Sequence, residues 1–260
     1  MLLAVGDIVI CGDPTAERTA SLVDRFPGTV ALLGDAVYDG GTLDEFLDCY
    51  EPSWGRHRWR TRPAVGNHEY RTPHAGAYFA YFCGLAGETY KGWYSYDLGA
   101  WHVVVLNSNC DQVGCETGSE QEQWLRADLA RHPSKCTVAY WHHPRFGSGH
   151  HGSDARLGPM WEALHAFGAD VVLNGHEHWY ERFAPQSPAA VADDARGIRE
   201  FIVGTGGGTP SDYAQGQPNS VVRITGSAGI LALTLHDQSY DWRFIRDDGH
   251  DLDTGHGECH

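Results

Sequence analysis

Short runs of apolar residues, separated by polar turns, recur along the first two thirds of the chain and alternate with stretches of helical periodicity. The pattern predicts strands at residues 2–6, 30–33, 63–65, 136–141 and 170–173. It predicts helices at residues 15–26, 43–50 and 75–82, from Ser119 onward, and at 155–167. Strands that alternate with helices in this way are typical of β-α-β units.

The last third of the chain has a different pattern, with apolar alternation and no helical stretch. Strands are predicted at residues 199–203, 220–224, 229–235 and 239–245, and an earlier hairpin at residues 93–97 and 101–106. We therefore expect an α/β fold whose sheet is extended by antiparallel strands. Two helix starts carry capping residues: Thr15 follows Pro14, and Ser119 lies three residues before Glu122.

Five of the apolar runs are followed directly by side chains that bind metal ions. These side chains are Asp7, Asp35, Asn67, His68, His142, and the His-x-His pair His176 and His178. The pair lies in a loop because Asn174-Gly175 breaks the preceding strand. An isolated His-x-His pair is weak support for a metal site, but five such strand ends supply oxygen and nitrogen ligands enough for two metal ions.

Length and composition are those of one soluble domain. No linker-like stretch divides the 260 residues, so we expect a single domain over residues 1–260 with a polar, loosely held tail at 247–260. No apolar run approaches the roughly 20 residues needed to cross a bilayer. The net charge of −15, with only 19 Lys and Arg, opposes nucleic-acid binding. An anionic substrate would need a local positive centre, which bound metal ions supply.

Seven cysteines without C-x-x-C spacing argue against a structural zinc site. Cys110 and Cys115 lie in one polar loop and Cys136 starts a strand, so we expect a Cys110–Cys115 disulfide or a pairing of one of these two with Cys136. Free buried thiols are the alternative. The polar tail would be held only if Cys259 were bridged to the body. Disulfides favour a secreted or periplasmic protein, although no signal peptide is visible before the first strand.

Two motifs for other chemistries are incomplete. Residues 204–208 (Gly-Thr-Gly-Gly-Gly) follow a strand, but Pro210 and polar residues come next instead of a helix, so a nucleotide-binding loop is not predicted. No Gly-x-Ser-x-Gly follows a strand, which argues against a serine hydrolase.

The strand-end motifs together resemble those of the calcineurin-like metallophosphoesterases and, within them, the purple acid phosphatases. They are Gly6-Asp7, the segment Gly34 to Tyr38, the segment Gly66 to Glu69, His142-His143-Pro144, and the segment Gly175 to Arg182. Their order and spacing cover about residues 4 to 183. The resemblance implies a four-layer α/β/β/α sandwich of two mixed sheets flanked by helices, with a dinuclear metal centre at the strand ends.

The resemblance also assigns the ligands of that centre. The first ion would be bound by Asp7, Tyr38 and His178. The second ion would be bound by Asn67, His142 and His176, and Asp35 would bridge the two. Carboxylate and phenolate favour a hard trivalent ion, Fe(III), at the first position, whereas two imidazoles and an amide oxygen suit a divalent ion such as Zn, Fe or Mn at the second.

One position departs from the wider superfamily. Most metallophosphoesterases place a histidine two residues after the first aspartate, and here that position is Val9. The purple acid phosphatase pattern supplies Tyr38 instead. The lost histidine and the gained tyrosine therefore compensate each other.

The implied reaction is hydrolysis of a phosphate ester by a metal-activated water or hydroxide, without a covalent phosphoenzyme. The leaving alkoxide needs a proton, and uncoordinated histidines near the metals can donate it. The resemblance points to His68 and to a histidine about nine residues after His142, which is His151 here with His150 beside it. The register across Gly147 to Gly149 leaves both histidines open as the acid, and a solvated loop pair is the alternative.

We expect a phosphomonoesterase that acts on a small-molecule phosphate ester. A phosphodiesterase acting on nucleotides or lipids would use the same ligands, because the walls of the pocket set the substrate class. A non-catalytic metal-binding protein on the same fold is the alternative of another class. A degenerate member should have lost ligands, whereas all seven ligand positions hold competent groups. The sequence does not predict the oligomeric state.

Overall fold

Two β-sheets form the centre of the computed structural model, which describes residues 1–211 and 214–260. In spatial order the first sheet contains β15 (Asp251–Glu258), β14 (Ser239–Arg246), β13 (Gly229–Leu235), β1 (Leu2–Val5), β3 (Thr29–Leu33) and β5 (Thr61–Ala64). Strands β1, β3 and β5 are parallel, whereas β13, β14 and β15 pair antiparallel. The sheet is therefore mixed, as expected for parallel units extended by antiparallel strands.

The second sheet is also mixed. In spatial order it contains β12 (Ser220–Ile224), β10 (Tyr180–Phe183), β11 (Arg199–Val203), β9 (Val171–Asn174), β8 (Cys136–Tyr140), β7 (Trp101–Val105) and β6 (Tyr94–Leu98). Its four central strands, β11, β9, β8 and β7, are parallel. A short parallel pair, β2 (Val9–Ile10) and β4 (Val37–Tyr38), lies apart from both sheets.

Helices occupy the connections between strands. They are α1 (Thr15–Asp24), α2 (Leu43–Glu45) with a π-helical continuation at Phe46–Tyr50, α3 (Gly76–Phe82), α4 (Cys110–Val113), α5 (Glu120–Arg131) and α6 (Gly158–Ala166). Segments of 3₁₀ helix lie at Trp54–Arg60, Glu69–Arg71, Pro73–Ala75, Cys83–Ala86 and Ala155–Leu157. Among the described residues, no helix has the length and apolar character that a membrane crossing requires.

Successive residues of the strands face different hydrophobic cores, which lie between four layers of structure. In β1, Leu2 and Ala4 pack into a core between the two sheets, whereas Leu3 and Val5 face the core shared with α1 and α3. On the second sheet, Val104 faces a third core shared with α5 and α6. Three cores between four layers confirm the predicted α/β/β/α sandwich.

Most predicted elements are confirmed to within two or three residues. The two predicted N-cap residues, Thr15 and Ser119, had different outcomes. Ser119 caps α5 by accepting a hydrogen bond from the Glu122 backbone N–H, as predicted. The reciprocal bond of a capping box is not formed, because the Glu122 carboxylate accepts from the Gly118 N–H instead. The prediction for Thr15 was wrong, because Pro14 is the N-cap and Thr15 is the first residue of α1. The Thr15 backbone N–H instead donates to Asp13 Oδ1 at 2.7 Å.

The C-terminal residues are not a loosely held tail. Residues 251–258 form β15, which pairs with β14 over most of its length. The expectation was wrong because the condition attached to it is met: Cys259 is bridged to Cys136. The edge strand β15, the short strands β2 and β4, and β10 were all missed from the sequence.

Three disulfides are present. They are Cys11–Cys49, Cys110–Cys115 and Cys136–Cys259. The predicted Cys110–Cys115 bond is confirmed, whereas the alternative pairing of Cys110 or Cys115 with Cys136 was wrong and Cys11–Cys49 was not foreseen. Within the described parts of the chain, Cys83 is the one free cysteine and is exposed.

Candidate metal centre

The predicted metal ligands other than Tyr38 lie in loops at the carboxyl ends of parallel strands from both sheets. Asp7 follows β1 and Asp35 follows β3 in the first sheet, whereas His142 and His176 follow β8 and β9 in the second. Asp7, Asp35 and His176 adopt positive φ angles of 61°, 49° and 71°. Residues other than glycine rarely adopt a positive φ, and such backbone strain concentrates at functional sites.

Three of the predicted ligands form a first group. The Tyr38 hydroxyl oxygen lies 2.7 Å from Asp7 Oδ1 and 2.9 Å from His178 Nε2. The third side of the triangle, from His178 Nε2 to Asp7 Oδ1, measures 3.3 Å. Tyr38 reaches this position because β4, which contains it, pairs with β2 directly after Asp7.

A second group contains Asn67, His142 and His176, with His142 at its centre. Its Nε2 lies 3.0 Å from Asn67 Oδ1 and 3.2 Å from His176 Nδ1. Asp35 Oδ2 lies 3.2 Å from the same nitrogen. The ligand atoms of Asp7, Asp35 and His142 all lie within 4.8 Å of one another, so Asp35 stands between the two groups.

The outer contacts of these histidines leave one ring nitrogen of each facing inward. His142 Nδ1 lies 2.8 Å from the Leu33 carbonyl oxygen, and His178 Nδ1 lies 2.6 Å from the Thr209 carbonyl oxygen. A ring N–H that donates to a carbonyl places the lone pair on the opposite nitrogen, which here is Nε2. Metal-binding histidines are oriented in this way.

Glycines in the motifs allow the loops to approach one another. A Cβ at Gly66 would overlap the Asp35 carboxylate, and a Cβ at Gly175 would lie 2.6 Å from Asp7 Oδ2. Gly66 and Gly175 are therefore required by the close packing of backbone and ligands around the centre.

Carboxylates and imidazoles shift one another's pKa across the centre. Burial disfavours the charged form of His142, but the Asp35 carboxylate outweighs burial and raises the pKa of His142 to about 9. Burial likewise opposes a charge on His178, but the hydrogen bond and charge of Asp7 raise its pKa to about 9. The two carboxylates thus stabilise positive charge between themselves and the imidazoles, where metal ions would replace the protons. The donor types and their placement fit two metal ions.

Two of the predicted catalytic histidines lie against the ligands, and the third is more remote. The His68 ring contacts Tyr38 with centroids 4.4 Å apart, and its Nε2 lies 3.9 Å from Asp35 Oδ2. The His151 ring lies 4.4 Å from that of His176. His150 is exposed and contacts His151 with ring centroids 5.7 Å apart.

Separate cavities open beside the two groups of ligands. One of about 450 Å³ is lined by Tyr38, His68, His178 and the disulfide-bonded Cys11. Another of about 340 Å³ is lined by His143, His151, Arg156 and His176. The predicted proton donors His68 and His151 thus line different cavities.

Two residues with roles at the centre were missed from the sequence. Glu69 is fully buried and accepts hydrogen bonds from the backbone N–H groups of Asp35, Ala36 and Gly66, which joins two ligand loops. Its presence in the Gly66 to Glu69 motif was the available signal.

The second missed residue is His143, whose Nδ1 lies 2.8 Å from Ser108 Oγ. Its ring lies 4.4 Å from that of His176. Burial and the neighbouring His142 lower the pKa of His143 to about 3. His143 is therefore a neutral side chain beside the ligands. Its presence in the His142-His143-Pro144 motif was the available signal.

A two-sheet α/β/β/α sandwich whose strand ends gather aspartates, histidines and an asparagine defines the class of metallophosphoesterases. The sequence profile of the family described as calcineurin-like phosphoesterase matches residues 2–180, and the chain belongs to this family.

Similar proteins include purple acid phosphatases. The chain is 28% identical to purple acid phosphatase 15 of Arabidopsis thaliana over 219 residues, which cover 68% of the chain and 41% of the relative. It is 30% identical to an uncharacterized protein of Mycobacterium tuberculosis over 240 residues, which cover 78% of the chain and 44% of that protein. The chain thus spans less than half the length of these two relatives.

Among solved structures, the purple acid phosphatase PPD1 from yellow lupin seeds superimposes with a TM-score of 0.82 at 18% identity, covering 99% of this chain and 53% of that one. GAP50 of the Plasmodium inner membrane complex superimposes with a TM-score of 0.73 at 12% identity, covering 100% of this chain and 88% of that one. At these identities the likeness shows the fold alone.

Proposed function

We propose that residues 1–260 form one catalytic domain that hydrolyses phosphomonoesters at a dinuclear metal centre. The observation that carries the proposal is the arrangement of the seven donors in two groups with Asp35 between them. Family membership supports a metal-dependent phosphoester hydrolase. Purple acid phosphatases among the similar proteins favour the monoesterase reading.

The proposed first ion is Fe(III), held by Asp7, Tyr38 and His178. The second is divalent Zn, Fe or Mn, held by Asn67, His142 and His176, with Asp35 bridging the two ions. When bound, the ions supply a nucleophilic water and polarise the phosphoryl oxygens.

This chain's own side chains then handle the proton that the leaving group needs. His151 lies against His176 of the second group of ligands, and His68 lies against Tyr38 of the first group. Either imidazole can present an N–H to the leaving oxygen of an ester bound between them. His150 is the weaker candidate because its ring contacts that of His151, whereas the His151 ring contacts the ligand His176.

A phosphodiesterase acting on nucleotides or lipids is the second candidate, because both cavities beside the ligands have room for a substituent on each side of a phosphate. A non-catalytic metal-binding protein is disfavoured, because all seven donor positions converge with competent groups. The net charge of −15 opposes nucleic acid and anionic membranes as partners. A small phosphate ester would bind at the local positive charge that the metal ions supply. Three disulfides support secretion or a periplasmic location.

Hydrolysis of 4-nitrophenyl phosphate and bis(4-nitrophenyl) phosphate by metal-loaded and chelated protein tests the proposal. We expect the loaded protein to prefer the monoester and the chelated protein to lose turnover of both esters. A preference for the diester would replace the proposal with the phosphodiesterase reading. Metal binding without turnover of either ester would favour the non-catalytic reading.

A further inference from the structure

The loop that contains His150 and His151 donates backbone hydrogen bonds to three buried glutamate side chains. Residues 143–154 contain neither helix nor strand, and such a segment would ordinarily be mobile. Glu177, Glu181 and Glu200 are each fully buried, and each accepts hydrogen bonds from this loop. Burying a carboxylate is costly unless it is hydrogen-bonded, so three of them beneath one loop call for an explanation.

The three carboxylates hold successive parts of the loop. Glu200 Oε1 accepts from the backbone N–H groups of Arg145 and Phe146 at 3.1 and 3.3 Å. Glu181 accepts from the Ser148 N–H at 3.1 Å, and Glu177 accepts from the Gly152 N–H at 2.8 Å. Each carboxyl group accepts from a different part of the loop, so together these hydrogen bonds define the course of the loop.

Ser148 is the centre of this network. Its side chain is fully buried, and its hydroxyl donates to Glu181 Oε1 at 2.5 Å and accepts from the Gln217 N–H at 3.0 Å. Its carbonyl oxygen accepts from the N–H groups of Ala214 and Gln215. Ser148 therefore ties the His151 loop both to β10, which contains Glu181, and to the loop before β12.

Glu181 is also held from the other side. The Ser220 hydroxyl donates to its Oε1, and β10 pairs with β11 on one edge and β12 on the other. The carboxylate is thus attached to a strand in the body of the sheet. Three residues further along the loop, the His151 ring rests against His176.

We propose that Glu181, acting through Ser148, is a positioning residue that holds His151 at the metal centre. Neither residue is among the predicted ligands or the lining of the two cavities beside them. The inference rests on the proposed function, since it concerns proton donation to the leaving group. Glu177 is unsuitable for a test because it lies between His176 and His178, and Glu200 holds only the start of the loop.

The test compares Ser148→Ala and Glu181→Gln with Glu122→Gln. Glu122 is a buried carboxylate of α5 that accepts from the Gly118 N–H and pairs with Arg126, so its variant controls for the loss of a buried carboxylate alone. For each protein we would measure metal content, kcat on 4-nitrophenyl phosphate and on ethyl phosphate, and hydrogen exchange of amides 145–152. Ethyl phosphate has the poorer leaving group and depends more on the proton donor.

The account predicts that Ser148→Ala and Glu181→Gln keep their metals, expose amides 145–152 to exchange, and slow ethyl phosphate at least tenfold more than 4-nitrophenyl phosphate. Glu122→Gln should change neither the ratio of the two rates nor the exchange. Equal slowing of both esters, or an unchanged ratio, would overturn the proposal. Should one variant fail to fold, the other decides. A wild type that hydrolyses neither ester rejects the proposed function instead, and the exchange of amides 145–152 then decides whether Glu181 and Ser148 fix the loop.

Discussion

The hydroxyl oxygen of Tyr38 lies 2.7 Å from Oδ1 of Asp7, although 31 residues separate them in the chain. The parallel pairing of Val9 with Val37 and of Ile10 with Tyr38 brings them together. Val9 itself is buried, at the position where most of the superfamily has a histidine. The same short pairing that holds Val9 in the core therefore brings the phenol to the centre.

Tyr38→Phe tests this relationship through colour. Burial and the Asp7 carboxylate raise the pKa of Tyr38 well above its usual range, so a phenolate there requires a cation in contact with it. A phenolate bound to ferric iron absorbs visible light by charge transfer. We expect the iron-loaded wild type to be coloured and Tyr38→Phe to lose the band while Asp7 and His178 retain some metal. An unchanged visible spectrum in the variant would exclude Tyr38 as a ligand.

His151→Ala should separate proton donation from metal binding. The ring lies against His176, but the variant leaves all seven predicted ligands in place. We expect unchanged metal content and a loss of roughly 100-fold on an alkyl phosphate, with a much smaller loss on a nitrophenyl ester. The exposed neighbour His150 is the matched control, and His150→Ala should have a small effect on both esters. The assignment fails if His150→Ala produces the larger leaving-group effect.

The disulfides should differ in their contribution to stability. In the chain-entropy view, a crosslink stabilises more when it closes a longer loop, at about 5 kcal/mol for a loop of roughly 120 residues and about 2 kcal/mol for a loop of a few residues. Cys136–Cys259 spans 123 residues and Cys110–Cys115 spans 5. We therefore expect alanine at both positions of the long bridge to lower the free energy of unfolding more than alanine at both positions of the short one.

Urea unfolding without reductant measures these losses. The exposed free thiol provides the control, and Cys83→Ser should change the free energy of unfolding by less than about 0.5 kcal/mol. Equal losses for the two bridges would show that loop length does not decide their contribution. The long bridge also fastens β15, so its removal should expose the amides of residues 251–258 to exchange.

A buried ion pair remote from the metal centre should make stability depend on pH. His102 Nε2 lies 2.9 Å from Asp128 Oδ2, and its Nδ1 lies 3.0 Å from Asp97 Oδ1. Burial opposes a charge on His102, but the two carboxylates outweigh burial and raise its pKa. A raised folded pKa stabilises the protein fully below the unfolded value of about 6.5, and this stabilisation is lost as the pH rises through the folded value.

The wild type should therefore exceed His102→Gln in free energy of unfolding by about 3 kcal/mol at pH 5.5. The difference should shrink as the pH rises towards 8.5, because this stabilisation is lost as the pH passes through the raised pKa of His102. The exposed His250 gives the control, and His250→Gln should show a small difference at both pH values. A difference for His102→Gln that grows from pH 5.5 to 8.5 would contradict the raised pKa.

The sequence predicted the strands that run through the body of the sheets, because their apolar runs are continuous and each is bounded by glycine or a polar turn. It missed β15, since none of its residues is buried and they include Gly255 and Gly257. The strand is held by pairing with β14 and by the Cys136–Cys259 bridge, and neither contact is visible in local composition. The two-residue strands β2 and β4 are too short to show alternation.

Six donors of the candidate site were predicted because each lies just after an apolar run and carries metal-ligand chemistry, whereas Tyr38 was predicted only from the resemblance to the purple acid phosphatases. The buried carboxylates Glu177, Glu181 and Glu200 were not predicted. An acidic residue on a strand, such as Glu181 or Glu200, or in a loop, such as Glu177, ordinarily indicates exposure to solvent. Only the course of loop 143–154 reveals that these three accept its backbone N–H groups. Long-range hydrogen bonds to backbone leave no periodic signature in a sequence.

The most direct test of the two-metal account is metal content measured together with turnover in His142→Ala and His176→Ala. Both residues belong to the second group of donors, and the first group of Asp7, Tyr38 and His178 is left intact. The account predicts two metal ions per chain in the wild type, about one in each variant, and a loss of at least roughly 100-fold in hydrolysis of 4-nitrophenyl phosphate. A variant that lacks the second metal and retains wild-type turnover would contradict it.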